Sequence, residues 1–151
     1  MLRRTAGGVL VAMLASGAIA SANSGSLSDP RGDYPDIVKL SFNNASSKVT
    51  MKLTMAAGHA QNESFYIRWG SGKHYQAFNS QSAGLSELRY AGKKVACGGL
   101  VFKHPSADVT TVKIPRTCIP KAPNKVRFQA IATEGLHSAD ETKVSKSIAR
   151  G

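Results

Sequence analysis

Hydrophobic and polar residues alternate one by one along much of the chain after residue 36. The first two apolar series, separated by a polar turn at 44–47, are Val38, Leu40 and Phe42, then Val49, Met51, Leu53 and Met55. Successive side chains of a β-strand point to opposite faces, so this alternation buries one face and exposes the other. The pattern therefore predicts two amphipathic strands joined as a β-hairpin.

Further apolar series follow, each bounded by turn residues. They are Phe65, Ile67 and Trp69; Tyr75 and Phe78; Leu85, Leu88 and Tyr90; and Val126, Phe128, Ala130 and Ala132. We expect Trp69 to lie mostly in the core, because it shares an apolar strand face with Phe65 and Ile67. No segment keeps a helical period over three turns. About eight short strands predict an all-β fold, an antiparallel β-sandwich of immunoglobulin-like or jelly-roll-like type.

The two cysteines of the chain, Cys97 and Cys118, enclose a second hairpin pattern. Residues 100–103 and 109–114 are apolar, β-branched runs, and the segment 104–108 (HPSAD) between them is rich in turn residues. An even cysteine count in an oxidising compartment favours a disulfide. The sequence therefore predicts a hairpin closed at its base by a Cys97 to Cys118 bond.

The N-terminus has the pattern of a secretory signal. Two arginines precede an apolar, small-residue segment that ends at an A-x-A cleavage site, so residues 1–22 are expected to be removed during secretion. The later chain holds no segment apolar enough to span a membrane. We expect an extracellular, monomeric protein made of a flexible leader (23–28), one β-sandwich domain (29–137) and a polar, frayed tail (138–151).

The chain is strongly basic, with 20 Lys and Arg against 9 Asp and Glu and a formal net charge of +11. Loss of the two arginines in the signal leaves +9 on the mature chain. Such a field attracts polyanions, and an anionic cell-wall polymer or glycan is the expected partner, with no specific nucleic acid. The candidate binding residues are Lys93, Lys94, Lys103, Arg116, Lys125 and Arg127. A basic surface that only confers solubility is the alternative.

An acidic loop precedes the first alternating strand. Its carboxylates, Asp29, Asp33 and Asp36, are candidate ligands for Ca²⁺, which prefers oxygen donors, although their spacing matches no EF-hand. The alternative is an ordered turn whose carboxylates face basic neighbours. No other cofactor is indicated.

No catalytic constellation is recognisable in the sequence. There is no G-x-S-x-G motif, and His59, His74, His104 and His137 occur singly, without the spacing of a metal site. The carboxylates are also isolated, although two of them could still meet in the fold. We therefore expect a protein that is not an enzyme. An alternative to polymer binding is a protein-interaction domain such as a protease inhibitor, presenting the segment 104–108 as a rigid loop.

Two segments resemble a group of small secreted actinobacterial proteins. They are residues 29–33 (DPRGD), followed by Asp36 and Ile37, and residues 112–119 (VKIPRTCI), which fit D-x-x-G-D and V-x-I-P-R-x-C-I patterns. The resemblance covers most of the mature chain. It implies a β-sandwich stapled by a disulfide and implies no activity. The chain departs from the group after Cys118, where Asn124 and Lys125 stand in place of an aromatic residue.

Overall fold

The computed structural model describes residues 23–30, 32, 34–135 and 138–151. The expected signal at 1–22 lies outside the described residues. Within them the fold is an antiparallel β-sandwich of two sheets and 12 strands, as the alternation predicts. The only helical element in this part of the chain is a 3-10 turn at Arg116–Cys118. None of its helices has the length and apolar character needed to cross a membrane.

Five strands form the first sheet, which we call sheet A. They are β1 (Ser24–Ser28), β2 (Ile37–Asn44), β3 (Lys48–Met55), β8 (Val101–Ser106) and β9 (Val109–Pro115). Their order across the sheet is β1-β2-β3-β9-β8. Neighbours β3 and β9 are more than 50 residues apart in sequence, from Lys52 to its partner Thr111, so the sheet joins both halves of the chain.

The second sheet, sheet B, contains the remaining strands. They are β4 (Asn62–Trp69), β5 (Lys73–Ser80), β6 (Leu85–Tyr90), β7 (Lys93–Val95), β10 (Lys125–Glu134) and β11 (Ser138–Glu141), with β12 (Ile148–Ala149) paired to β10. The order is β11-β10-β4-β5-β6-β7. Every pairing is antiparallel, and consecutive strands such as β4 and β5 are joined by short turns.

The core lies between the sheets and is built from the residues that alternation marks as inward. Leu40, Val49 and Phe65 are buried, and the rings of Phe42 and Phe128 stack across the interface with centroids 4.7 Å apart. Trp69 is mostly buried and packs against the core, as predicted, although a part of it stays exposed. It is the last residue of β4, where the sandwich opens to solvent.

The leader at 23–28 is a strand, whereas its serine-rich composition predicted disorder. The five residues of β1, Ser24–Ser28, pair with β2, and Leu27 packs against the core. Gly25 lies over the ring of Phe42, so close that an added Cβ would be 2.7 Å from Phe42 Cε2. Backbone hydrogen bonds to β2 hold this polar segment at the edge of sheet A, and such bonds cannot be predicted from amino-acid composition.

The tail at 138–151 is likewise ordered into β11 and β12, contrary to the expected frayed segment. Its polar side chains fasten it to β10. The backbone N–H of Ala130 donates to Thr142 Oγ1 at 3.0 Å, and that of Phe128 donates to Ser145 Oγ at 2.8 Å. The hydroxyl groups of Thr142 and Ser145 thus accept hydrogen bonds from backbone N–H groups of β10, on the side of β10 where β11 and β12 are both short.

The disulfide between Cys97 and Cys118 is present, with Cα atoms 5.2 Å apart, and it encloses the β8–β9 hairpin as predicted. Cys97 follows β7 of sheet B and Cys118 follows β9 of sheet A, so the bond also joins the two sheets. The turn is shorter than predicted, because 104–106 continue β8 and only two residues connect the strands.

Candidate functional site

The outer face of sheet A carries a row of polar side chains that crosses all five strands. Antiparallel pairing places Ser26 opposite Ser41, Ser41 opposite Lys52, Lys52 opposite Thr111, and Thr111 opposite Lys103. Directly paired residues share a face of the sheet. The row points to solvent because the residues on either side of each member, such as Leu40 and Phe42, point into the core.

A second row lies beside the first and adds another lysine. It runs through Asn43, Thr50, Lys113 and Val101. The outward lysines of sheet A, which we call the lysine face, are Lys39, Lys48, Lys52, Lys103 and Lys113. The strands of sheet A contain no Asp or Glu. The face is therefore positive, with hydroxyl and amide groups between the charges.

The lysine face has a depression near its centre and an acidic residue at one end. The depression is open to solvent and is lined by Ser41, Phe42, Asn43, Thr50 and Lys52. Asp108 lies in the turn between β8 and β9. A 2.7 Å hydrogen bond from the Ser106 hydroxyl is the main reason that the pKa of Asp108 is lowered, and Lys52 contributes a smaller effect.

The six residues predicted to bind a polyanion do not gather on one surface. Only Lys103 belongs to the lysine face. Lys93 and Lys94 are on β7, where Lys94 Nζ lies 3.8 Å from Glu87 Oε2. Lys125 and Arg127 are on β10 of sheet B.

Arg116 is a structural residue rather than an exposed binding residue. It is partly buried beneath the β2–β3 turn, where its Nε donates to the carbonyl oxygen of Ala45 at 3.2 Å and its guanidinium contacts the buried Asn44 side chain. Burial lowers the pKa of Arg116, and the charge of Arg150 lowers it further. This side chain fixes the β2–β3 turn.

The expected calcium ligands are not assembled as a metal site in the part of the chain described. Asp33 lies outside the described residues. Asp36 Oδ1 accepts a hydrogen bond from the Gly32 N–H at 3.2 Å. The pKa of Asp29 is raised, mainly by burial and then by the charges of Asp140 and Asp36. Within these residues, no group of three or more His, Cys, Asp or Glu side chains could hold a metal ion.

Four aromatic residues that could stack on a ligand, Tyr66, Trp69, Tyr75 and Tyr90, pack against other side chains, whereas Tyr34 is 53% exposed. The guanidinium carbon of Arg68 lies 4.4 Å from the centre of the Tyr66 ring. Trp69, Tyr75 and Tyr90 pack on one another with centroids 4.9 to 6.2 Å apart, and Lys121 Nζ covers Tyr90 at 4.5 Å. Tyr75 is buried, and its pKa is raised chiefly by that burial.

A buried polar cluster occupies one end of the core. Glu63 is fully buried and accepts hydrogen bonds from Thr110 Oγ1 at 2.8 Å and Asn79 Nδ2 at 3.4 Å. His59 Nδ1 lies 3.6 Å from Glu63 Oε1, and His104 Nε2 lies 4.0 Å from Oε2. The two imidazole rings meet edge to face with centroids 4.6 Å apart. Both sheets and the β3–β4 loop contribute to this cluster.

The inward position of Glu63 is predictable from the alternation of β4. Glu63 lies two residues before Phe65, so the alternation of β4 already assigns it to the inner face. Register then places Asn79 and Ser86 beside it on β5 and β6. The histidines, isolated in sequence, come together because β8 and the β3–β4 loop close over the same end of the sandwich. The cluster is internally hydrogen-bonded, and its only hydroxyl near a histidine, Thr110, is buried.

A comparison with known protein families gives no match, and neither does a comparison with curated proteins. Among solved structures, the chain is similar to one described as "Structural basis of T cell specificity and activation by the bacterial superantigen toxic shock syndrome toxin-1". The two share 14% identity over 70% of this chain and 86% of that chain, with a TM-score of 0.45. What this protein does must therefore follow from its own residues.

Proposed function

We propose that this protein is a non-enzymatic, extracellular binding domain that docks an anionic polymer or glycan on the lysine face. The observation that carries the proposal is the unequal placement of charge: five lysines project from the strands of sheet A without one acidic residue among them. Like charges placed this close repel one another. A polyanion lying across the strands relieves that repulsion at several lysines together.

Other features support charge recognition over the alternatives. Four candidate stacking rings are already covered, as Tyr66 is by Arg68, and the exposed Tyr34 lies outside the strands of the lysine face. The β8–β9 tip, the candidate inhibitor loop, is a two-residue turn, and His104 beside it faces the buried Glu63. A short turn whose neighbouring side chain points inward presents few side chains that could bind in the cleft of an enzyme. The buried hydroxyl of Thr110 likewise disfavours a nucleophile in the polar cluster.

The test is binding of the mature protein to purified bacterial cell wall, measured by sedimentation over a series of salt concentrations. The test variant replaces Lys52, Lys103 and Lys113 by glutamine. Its matched control replaces Lys73, Lys93 and Lys125, which are exposed residues of sheet B, and therefore has the same net charge.

Exposed ion pairs contribute roughly 0.2–1 kcal/mol each, so we expect the test variant to bind about tenfold more weakly and the control to bind like the wild type. Wild-type binding should also fall steeply toward 1 M salt, where the screening length is about 3 Å. Equal weakening of both variants would show that net charge alone attracts the protein, and salt-insensitive binding would exclude an electrostatic site.

A further inference from the structure

We infer that the edge of sheet A at β1 is a self-association site, at which two copies of this protein pair β1 with β1 and form a reversible dimer. This inference goes beyond the proposed function and replaces the monomer expected from the sequence. Three features of β1 carry it: the backbone groups that β2 leaves unpaired, the absence of residues that protect a sheet edge, and the symmetry of its side chains.

The backbone of β1 presents hydrogen-bonding groups to solvent. Antiparallel pairs alternate between residues that exchange hydrogen bonds and residues that do not. Just outside the two ends of β1, the carbonyl oxygen of Asn23 accepts a bond from β2 at 2.7 Å, and the Asp29 N–H donates one to β2 at 3.0 Å. The alternation then assigns the remaining bonds to Gly25 and Leu27. The residues whose N–H and C=O groups point away from β2 are Ser24, Ser26 and Ser28, and all three are exposed.

The other strands at the ends of the two sheets carry residues that obstruct further pairing. β8 contains Lys103 and Pro105, β11 contains Asp140 and Glu141, and β7 is a three-residue strand with two lysines. Charge, proline and short length are the means by which edge strands avoid pairing with other chains. β1, with the sequence SGSLS, has neither charge nor proline. Among the end strands of these two sheets, β1 is therefore the one best able to accept another strand.

The sequence of β1 favours a second copy of itself as the added strand. An antiparallel pair centred on Ser26 places Ser24 of each copy opposite Ser28 of the other. All the outward residues then meet as hydrogen-bonded pairs, with about six bonds in total. The pairs between them place Gly25 opposite Leu27, so that the missing side chain of one copy leaves room for the leucine of the other. The contact is self-complementary, as a two-fold interface requires.

Charge repulsion is small at this contact, although the protein is strongly basic. The only charged residue of β1 and β2 is Lys39, which lies on β2 opposite Ser28. Strand spacing and rise place the Lys39 residues of the two copies about 20 Å apart in the dimer. This separation exceeds the screening length of about 8 Å at physiological ionic strength. Added salt should therefore leave the dimer intact or strengthen it, the opposite of the effect expected for a bound polyanion.

The dimer would extend the lysine face. A two-fold axis normal to the sheet keeps the outer faces of both copies on the same side, so two five-stranded sheets join into one. The row that contains Ser26 and Ser41 then continues into the same row of the second copy. A polymer long enough to reach both lysine faces would gain avidity from the second one.

The experiment is sedimentation equilibrium of the mature protein over a wide range of concentrations, without any polyanion. The test variant, Ser26→Pro, removes an N–H that points away from β2 and leaves the bonds between β1 and β2 in place. Its control, Ser26→Ala, keeps that N–H. We expect the wild type and the control to dimerise equally, and Ser26→Pro to dimerise about tenfold more weakly, because two of the bonds across the axis are lost.

A second pair of variants leaves the backbone unchanged, in case proline perturbs the fold of β1. Ser26→Lys places two like charges directly opposite each other at the axis and should weaken the dimer. Ser41→Lys adds the same charge one strand further from the axis, and should weaken it less. Equal dimerisation of Ser26→Lys and the wild type would contradict the inference.

Hydrogen exchange locates the contact. The amides of Ser24, Ser26 and Ser28 should exchange about tenfold more slowly in the concentrated dimer than in the dilute monomer, whereas those of Gly25 and Leu27, already bonded to β2, should change little. A monomer at every concentration, or a dimer without added protection of the serine amides, would overturn the inference. Protection of these amides in a monomer would show that the edge is covered within one chain, and would also overturn it. None of these outcomes bears on the proposed polyanion site, because the assays contain no polyanion and every variant keeps all the lysines of the lysine face.

Discussion

The buried carboxylate of Glu63 gives the sharpest prediction about stability. Replacing Glu63 by alanine removes the acceptor that faces Thr110 and Asn79 and leaves both donors inside the core. The two histidines at 3.6 and 4.0 Å lose the same partner. The change therefore affects every member of the polar cluster at once.

The expected loss follows from these contacts. A buried donor left without an acceptor costs about 1–3 kcal/mol, and Glu63→Ala leaves two such donors, on Thr110 and Asn79. These contributions overlap, because the same carboxylate serves all the partners. The histidines reduce the figure, since their side chains are 15% and 36% exposed and water can replace part of the contact. We expect Glu63→Ala to lower the free energy of unfolding by about 3 kcal/mol, a large share of the roughly 5–15 kcal/mol of a small domain.

Guanidinium chloride denaturation followed by tryptophan fluorescence measures this loss, with Glu141→Ala as an exposed carboxylate control expected to change stability by less than about 0.5 kcal/mol. Thr110→Val and the double variant complete a cycle, in which a coupling energy of about 1 kcal/mol or more is expected for a direct contact. A loss below 1 kcal/mol for Glu63→Ala, or additive effects in the cycle, would refute the role given to this cluster.

Three further predictions concern other parts of the fold. Replacing Cys97 and Cys118 by serine should lower the free energy of unfolding by about 3 kcal/mol, because the bond closes a loop with a sequence separation of 21. Thiol titration of the denatured, unreduced wild type should find no free thiol. Gly25→Ala should cost about 1–3 kcal/mol through its contact with Phe42 and should speed hydrogen exchange in β1, whereas unchanged exchange would contradict the close packing. Asp29→Asn should raise the melting temperature at pH 7, because burial raises the pKa of the Asp29 carboxyl and so disfavours its charged form in the fold. The difference in melting temperature between variant and wild type should shrink as the pH falls through that raised pKa toward 3.8. A variant that is less stable than the wild type at pH 7 would contradict this prediction.

The strands of the core could be predicted from sequence because successive side chains of a strand point to opposite faces, so burial in a sandwich repeats every two residues. Leu53, Ile67 and Phe128 lie where alternation places them. The hairpin between the cysteines was predictable for the same reason, together with the turn residues at its tip. Each of these features depends on residues that are close together in the chain.

The features that the sequence did not reveal depend on pairing between distant segments. β1 and β11 have few apolar residues and are held by backbone hydrogen bonds to β2 and β10, which no local pattern reports. The sequence placed Arg116 with the exposed basic residues, yet it is partly buried because the β2–β3 turn packs over it. Tertiary contacts therefore decide both the edges of the sheets and which cations are free to bind.

The lysine face shows how such pairing turns a scattered charge into a surface. Lys52 and Lys113 are far apart in sequence, and each follows the ordinary rule that polar residues of an amphipathic strand face water. Only the order β3-β9-β8 makes them neighbours of Lys103. A requirement for solubility alone would be met equally well by mixed charges, as on sheet B, where Glu87 pairs with Arg89 and Lys94. The proposed anionic ligand would account for the absence of acidic residues from the strands of sheet A, which solubility alone does not require.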